Sequence, residues 1–123
     1  MIVTVVLVSV AGGLGAAARL VLDGLISARI RSAYPLGTTV INVTGSLLLG
    51  LVTGLAISHG LPQQWHLIVG SGFLGGYTTF STASVETVRL VQAGRYFSAL
   101  ATGLGMLVFS VLAAALGLWL GSL

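Results

Sequence analysis

Apolar residues fall into four long runs along the chain, with short polar stretches between them. The runs cover residues 2–22, 36–57, 65–91 and 97–120. Each is near the length of roughly 20 residues that a helix needs to cross the hydrocarbon core of a bilayer. The pattern therefore predicts an all-α membrane protein with four transmembrane helices. Because the runs take up most of the 123 residues, we expect a single domain over residues 1–123.

The composition agrees with a membrane protein. Apolar residues make up 56% of the chain, charged residues only 6%, and the mean hydropathy is +1.10, whereas soluble domains carry about 25% charged residues. The first run has no positively charged segment before it and continues toward Arg19, which favours a membrane helix over a signal peptide. We expect most of the surface to contact membrane lipid.

The cationic side chains lie toward one side of the predicted bundle. All five are arginines. Four of them lie in or near the loops at 23–34 and 92–96, namely Arg29, Arg31, Arg89 and Arg95, and Arg19 lies toward the same side. The positive-inside rule then predicts that these loops are cytoplasmic and that both termini face away from the cytoplasm. Snorkelling of arginines at helix ends is the other explanation for part of this bias. The positive charge thus indicates topology, and we expect no nucleic-acid partner.

Small residues recur at spacings of four in all four runs. The pairs are Gly12 and Ala16, Gly50 and Gly54, Gly72 and Gly76, and Gly117 and Gly121. Such pairs let helix backbones approach closely in lipid. They predict a tight bundle that assembles into an oligomer.

The third run contains a polar string, Gly75-Gly76-Tyr77-Thr78-Thr79-Phe80-Ser81-Thr82. Its glycines and hydroxyls favour an unwound turn, so we expect the third helix to be broken near residues 75–79. Carbonyl oxygens freed at such breaks can bind cations. Irregular backbone at membrane depth needs protein or water around it, so the string predicts a conduction or binding site.

Two further residues could contribute to such a site. Asn42 lies in the middle of the second run, where its amide either joins helices together or offers two N–H donors to an anion. Both interpretations stay open from spacing alone. Phe80 has a ring with a positive edge, which can hold an anion without a formal charge, although ordinary packing is the commoner role of a phenylalanine.

Charged and hydroxyl side chains within the runs complete the candidates. Glu86 continues the third helix beyond Phe80, and pairing with Arg19 would lower the cost of burying both charges. On the fourth run one stripe repeats every four residues: Thr102, Met106, Ser110 and Ala114.

The inventory of reactive side chains is too small for catalysis. The chain has one Asp, one Glu, no Cys and two histidines, and no nucleophile lies near a base and an acid. His59 and His66 are seven residues apart and read as loop histidines rather than metal ligands. We predict that the protein is not an enzyme.

Three motifs together resemble the small bacterial fluoride channels of the Fluc or CrcB family. The resemblance covers nearly the whole chain and rests on Gly12-Gly13-Leu14-Gly15-Ala16 with Arg19, on Pro35-Leu36-Gly37-Thr38-Thr39 with Asn42, Gly45 and Gly50, and on the segment from Gly72 to Thr82 with Glu86. It implies a multi-pass protein of the bacterial cell (inner) membrane that exports F⁻ passively and protects the cell from fluoride toxicity. It further implies an antiparallel dimer with two fluoride pores.

The resemblance also assigns residues to the expected sites. It implies a structural Na⁺ held by the carbonyls of Gly75 and Thr78. Asn42 resembles a vestibule residue of the fluoride path, Phe80 the first of two phenylalanines that contact fluoride, and Ser110 part of a hydroxyl track. With the neighbouring hydroxyls, the expected fluoride path comprises Asn42, Thr79, Phe80, Ser81, Thr82, Thr102 and Ser110. Arg19 resembles the first-helix arginine of the family.

The chain departs from the family pattern at three positions. Ala83 stands where the second phenylalanine is expected, and Met106 and Ala114 interrupt the hydroxyl track. With the one-sided arginines, these departures favour one half of a heterodimer whose oppositely oriented homologue supplies the missing groups. A homodimer that tolerates alanine, or an engineered Phe→Ala variant, is the alternative.

Two other functions compete with a fluoride channel. A small multidrug exporter also has four helices and assembles antiparallel, but it needs a carboxylate in its first helix, and residues 2–22 contain none. A non-conducting assembly subunit would use the same glycine packing without needing Asn42 and Phe80 together.

Overall fold

The computed structural model describes residues 1–30 and 35–123 and contains no β-strand within them. Three helices are long: α1 (Ile2–Arg29), α2 (Leu36–His59) and α5 (Tyr96–Ser122). Between α2 and α5 lie a helical segment over residues 63–77, called α3, and helix α4 (Phe80–Gln92). Segment α3 begins as an α-helix at Gln63–Trp65, is π-helical over His66–Leu74 and ends as an α-helix at Gly75–Tyr77.

The three long helices are suited to cross a membrane. They contain 28, 24 and 27 residues, with window hydropathies of 2.0, 2.0 and 2.2. Large apolar side chains such as Leu7, Val21 and Leu112 are exposed along them, as expected for helices that face lipid. The predicted all-helical fold is confirmed for the described residues, and three of the four predicted spans are helices of membrane length. The third apolar run is divided between α3 and α4, and α4 has only 13 residues.

Helix α1 is longer than its apolar run predicts. It continues through Asp23 to Arg29, and the chain becomes extended at Ile30 (φ −119°, ψ 105°). The predicted loop at 23–34 is therefore partly helical. Asp23 packs against Gly37 in the first turn of α2, where an added Cβ would overlap its carboxylate. Arg31 and Tyr34 lie outside the described residues.

Glycines bring the helices together in two pairs. A Cβ at Gly50 would overlap the carbonyl oxygen of Ala114, and one at Gly117 would overlap that of Leu47, so the backbones of α2 and α5 touch. In the same way a Cβ at Gly76 would overlap the carbonyl oxygen of Gly12, which joins α3 to α1. The tight helix packing predicted from small residues is confirmed within the chain.

A small apolar core supports the end of α3. Ile41, Leu74 and Tyr77 are buried together, with Ala18, Leu22, Val69 and Phe73 packed around them. The rings of Phe73 and Tyr77 stack with their centroids 6.2 Å apart, and the Tyr77 hydroxyl lies 3.0 Å from Thr44 Oγ1. These contacts fix Tyr77, the last residue of α3, against α2. They thereby position Thr78 and Thr79.

Candidate functional site

Thr78 and Thr79 interrupt the helical backbone between α3 and α4. Thr78 has φ −80° and ψ 157°, and Thr79 has φ −147° and ψ 124°, so both are extended. Gly75 and Gly76, which the sequence marks as the unwound turn, are helical instead. The reason is packing: Gly76 has no side chain because the backbone of Gly12 lies against it. The hydroxyl residues, not the glycines, form the interruption.

The side chain of Asn42 binds the interrupted backbone. Its Oδ1 accepts a hydrogen bond from the Thr79 N–H at 2.8 Å, and its Nδ2 donates to the Thr79 carbonyl at 2.9 Å. Nδ2 also lies 3.2 Å from Met106 Sδ on α5. One amide therefore satisfies the N–H and the carbonyl of Thr79, which lies outside both helices. Of the two roles that the sequence leaves open for Asn42, these contacts correspond to joining helices together.

The interruption leaves carbonyl oxygens near the end of α3 without their helical donors, and for two of them that donor is engaged elsewhere. In an α-helix the Gly75 carbonyl would accept from the Thr79 N–H, but that N–H donates to Asn42. The Thr78 carbonyl would accept from the Thr82 N–H, but that N–H donates to Thr79 Oγ1 at 3.1 Å. Thr79 thus caps the first turn of α4. The two carbonyls that the resemblance assigns to a cation are those whose helical donors are engaged elsewhere.

A groove of about 750 Å³ runs along this break. Its lining includes seven of the residues that the sequence singles out: Asn42, Gly75, Thr78, Thr79, Phe80, Ala83 and Ser110. None of the described residues that line it is charged. The Phe80 ring is 87% exposed, whereas Thr79 is 8% exposed. The groove therefore combines an apolar ring with amide and hydroxyl groups beside an irregular backbone.

The other predicted path residues lie outside the groove lining. Thr79 Oγ1 lies 3.3 Å from Ser81 Oγ and 3.2 Å from Thr82 Oγ1, so these two hydroxyls adjoin the path through Thr79. Thr102 is 3% exposed and is not among the residues that line the groove. The hydroxyl oxygens of Thr102 and Ser110 are buried, and among the described residues neither has a hydrogen-bond partner.

The two charges expected to pair with each other do not meet in the described part of the chain. Glu86 Oε1 accepts a hydrogen bond from Thr38 Oγ1 at 2.5 Å, and Thr38 is 2% exposed. Arg19 Nε is buried and forms no hydrogen bond within residues 1–30 and 35–123. Neither residue lines the groove. Glu86 therefore joins α4 to α2 rather than to α1.

Sequence reasoning misplaced one residue and overlooked one contact. His66 is not in a loop but lies in α3, with Nε2 3.1 Å from Thr53 Oγ1. Met106 was treated as an apolar member of a stripe, whereas its sulfur faces the amide of Asn42. The sequence contains a signal for this contact. Thr38, Asn42 and Ser46 form a second series with the same spacing of four, and two such stripes on neighbouring helices can face each other.

The comparisons with known proteins identify the family. The family model described as CrcB-like protein, Camphor Resistance (CrcB), matches residues 6–120. A Leifsonia xyli subsp. xyli protein named "Fluoride-specific ion channel FluC 1" is 62% identical over 119 residues, which cover 97% of this chain and 87% of the relative. A Cutibacterium acnes protein named "Fluoride-specific ion channel FluC 2" is 54% identical over 97% of this chain and 98% of its own.

A more distant relative shows the same pattern. A Mycobacterium bovis protein named "Fluoride-specific ion channel FluC 2" is 40% identical over 112 residues, covering 91% of this chain and 86% of its own. Together with three membrane-length helices, these matches indicate a multi-pass bacterial membrane protein. Since the family model spans almost the full length, this chain belongs to the CrcB-like protein family.

Proposed function

We propose that this protein is a fluoride-selective channel through which F⁻ leaves the cell passively. The observation that carries the proposal is the groove at the helix break, which offers hydroxyl groups and the Phe80 ring and is lined by no charged side chain from residues 1–30 and 35–123. The full-length relatives named fluoride-specific ion channels support it.

The chemistry of the groove suits a small, strongly hydrated anion. Hydrogen-bond donors and a positive ring edge can replace water around the ion. A full positive charge would hold the anion too tightly, and conduction requires that the ion leave as readily as it enters. The membrane potential supplies the drive, since each charge gains about 2.3 kcal/mol per 100 mV. No chemical step is needed, and the proposal involves no catalysis.

We further propose that α3 and α4 cross the membrane together as one broken helix. Residues 63–92 include 30 positions, enough to span roughly 30 Å even with an extended pair inside. The extended Thr78 and Thr79 then lie at membrane depth, where lipid-exposed irregular backbone is not tolerated. A second subunit that covers the groove would meet this requirement.

The second subunit is proposed to be inserted antiparallel and to be a homologue of opposite orientation. Ala83 lines the groove where a second ring would contact the anion, so this chain supplies one ring and the partner would supply the rest. The numbers 1 and 2 in the relatives' names fit organisms that carry more than one such protein. A homodimer with the same groove is the alternative.

A structural sodium ion is proposed at the carbonyls of Gly75 and Thr78. The fit rests on the two released oxygens, because hard cations prefer oxygen ligands and unwound carbonyls serve Na⁺ in transporters. No cluster of three His, Asp or Glu side chains competes for a metal in the described ranges. When bound, the ion would neutralise the partial negative charge of these carbonyl oxygens.

One alternative, a proton-coupled exporter, needs reconsideration because α1 contains an acid. Helix α1 extends through Asp23, beyond the apolar run at residues 2–22. Asp23 packs against Gly37 at the start of α2 and does not line the groove. The structure offers the exporter no carboxylate at the site, so the channel remains our proposal.

Flux from liposomes tests the proposal. We expect protein in liposomes, alone or with its homologue, to release F⁻ and not Cl⁻, and Phe80→Ile to abolish the flux because the ring edge is lost. Phe97→Ile is the matched control, since Phe97 is 83% exposed but does not line the groove. Equal chloride release would contradict selectivity, and full flux in Phe80→Ile would make that ring a packing residue.

A further inference from the structure

The carboxamide of Asn42 is fully occupied. Asparagine has two N–H donors and one acceptor oxygen. One donor and the oxygen bind the two polar groups of Thr79 at 2.9 and 2.8 Å, and Nδ2 also lies 3.2 Å from Met106 Sδ. Asn42 lies on α2, whereas Thr79 is 37 residues further along the chain. A single side chain thus holds the interruption from a neighbouring helix.

This contact decides which oxygen atoms the break exposes. If the Thr79 N–H were free, it could donate to the Gly75 carbonyl and continue α3 by one residue. Because Asn42 accepts that N–H, the Gly75 carbonyl is left without its helical donor. Gly75 also lines the groove. The space beside Gly75 is open: the nearest atom to an added Cβ is the Gly70 oxygen at 3.9 Å.

We infer that Asn42 is a positioning residue for a cation: it holds the Thr79 backbone so that the Gly75 carbonyl stays available as a ligand. The inference rests on the proposed sodium site and deepens it. It also separates two roles of one amide. The Thr79 contacts serve the cation, and the N–H that faces Met106 Sδ, a weak acceptor, is the one that an anion in the groove can take.

The test compares two variants of the purified protein by thermal unfolding. Asn42→Ala removes both Thr79 contacts, and Met106→Leu removes the sulfur while leaving those contacts in place. NaCl is titrated against N-methylglucamine chloride, and the dissociation constant for sodium is obtained by fitting the rise in stability to its logarithmic dependence on sodium concentration. Sodium that binds only the folded site raises Tm in this way.

We expect Asn42→Ala to raise the dissociation constant for sodium about tenfold or more, since two hydrogen bonds that hold the ligand in place are lost. Met106→Leu should change it by no more than about twofold. An unchanged dissociation constant in Asn42→Ala, or a wild-type protein whose Tm does not respond to sodium, would overturn the inference. General destabilisation alone would lower the Tm at every sodium concentration without changing the dissociation constant.

A measurement on the wild-type protein covers the case in which Asn42→Ala does not fold. Amide hydrogen exchange at Thr79 should be slow in sodium-free buffer, because Asn42 accepts that N–H without help from a cation. Exchange as fast as at an exposed loop amide would overturn the inference. Fluoride flux from the same preparations distinguishes the two proposals. If the wild-type protein binds sodium but passes no fluoride, and Asn42→Ala weakens the sodium response, the channel proposal is refuted and this role of Asn42 is supported.

Discussion

The hydroxyl of Thr79 provides a sharp test of how the helix break is stabilised. Thr79 Oγ1 accepts the Thr82 N–H at 3.1 Å and so caps helix α4 from a residue that is 8% exposed. Thr79→Val keeps the shape of the side chain but removes this acceptor. The matched control is Thr79→Ser, which keeps the hydroxyl and loses one methyl group.

The expected cost follows from the contacts. Loss of a helix N-cap costs about 1 kcal/mol, and a buried N–H left without a partner costs about 1–3 kcal/mol. The Thr82 N–H has few alternatives, because the extended backbone of Thr78 (ψ 157°) turns its carbonyl out of the helical direction. We therefore expect Thr79→Val to lower the free energy of unfolding by about 1–3 kcal/mol. Thr79→Ser should cost about 1 kcal/mol, the transfer value of one methyl group.

Thermal unfolding in detergent, followed by circular dichroism, measures the difference between these variants. Thr79→Val should melt several degrees below Thr79→Ser, and the gap should persist without sodium because the cap forms within one chain. If the valine variant were as stable as the serine variant, Thr79 Oγ1 would not be the cap. The released carbonyl of Thr78 would then need another explanation.

Three further predictions concern packing, the Glu86 carboxylate and topology. Gly117→Ala should separate α2 from α5 and greatly reduce the yield of folded protein, because its Cβ would overlap the Leu47 carbonyl. Gly105→Ala is the control, since an added Cβ has open space there and should be tolerated. Similar yields of the two variants would refute close contact between the backbones of α2 and α5. Thr38→Val should lower the free energy of unfolding by about 1.5–3 kcal/mol, because it removes the hydrogen bond that Thr38 Oγ1 donates to the Glu86 carboxylate at 2.5 Å. A melting temperature equal to that of the wild type would show that Glu86 finds another donor. A reporter fused to the C-terminus should lie wholly outside the cytoplasm, as the arginine bias predicts, and a mixed population would favour the homodimer.

The sequence is sufficient to predict the three long helices but not the C-terminal end of α1. Helices α2 and α5 follow their apolar runs closely, because the length of the apolar run sets the length of each helix. Helix α1 continues for seven residues past the predicted end at 22, since Asp23 finds a place against Gly37 that the sequence does not reveal. A polar residue ends a hydrophobic run without ending a helix.

The candidate site divides in the same way. The string at 75–82 contains the two extended residues, Thr78 and Thr79. Glycine can serve either an unwound turn or a close approach of backbones, and Gly76 is in close contact with the backbone of Gly12. For Asn42, both roles follow from an amide in an apolar run. Only the tertiary alignment of residue 42 with residue 79 shows which groups it binds.

The two glycine-packed helix pairs also bear on mechanics. Where the backbone of α2 touches that of α5, and the backbone of α3 touches that of α1, there are no side chains whose rotation could let one helix slide past the other. Each pair should therefore move as a stiff unit. We therefore expect the width of the groove to change through its lining side chains, such as the Phe80 ring, which is 87% exposed, while the helix pairs keep its frame constant.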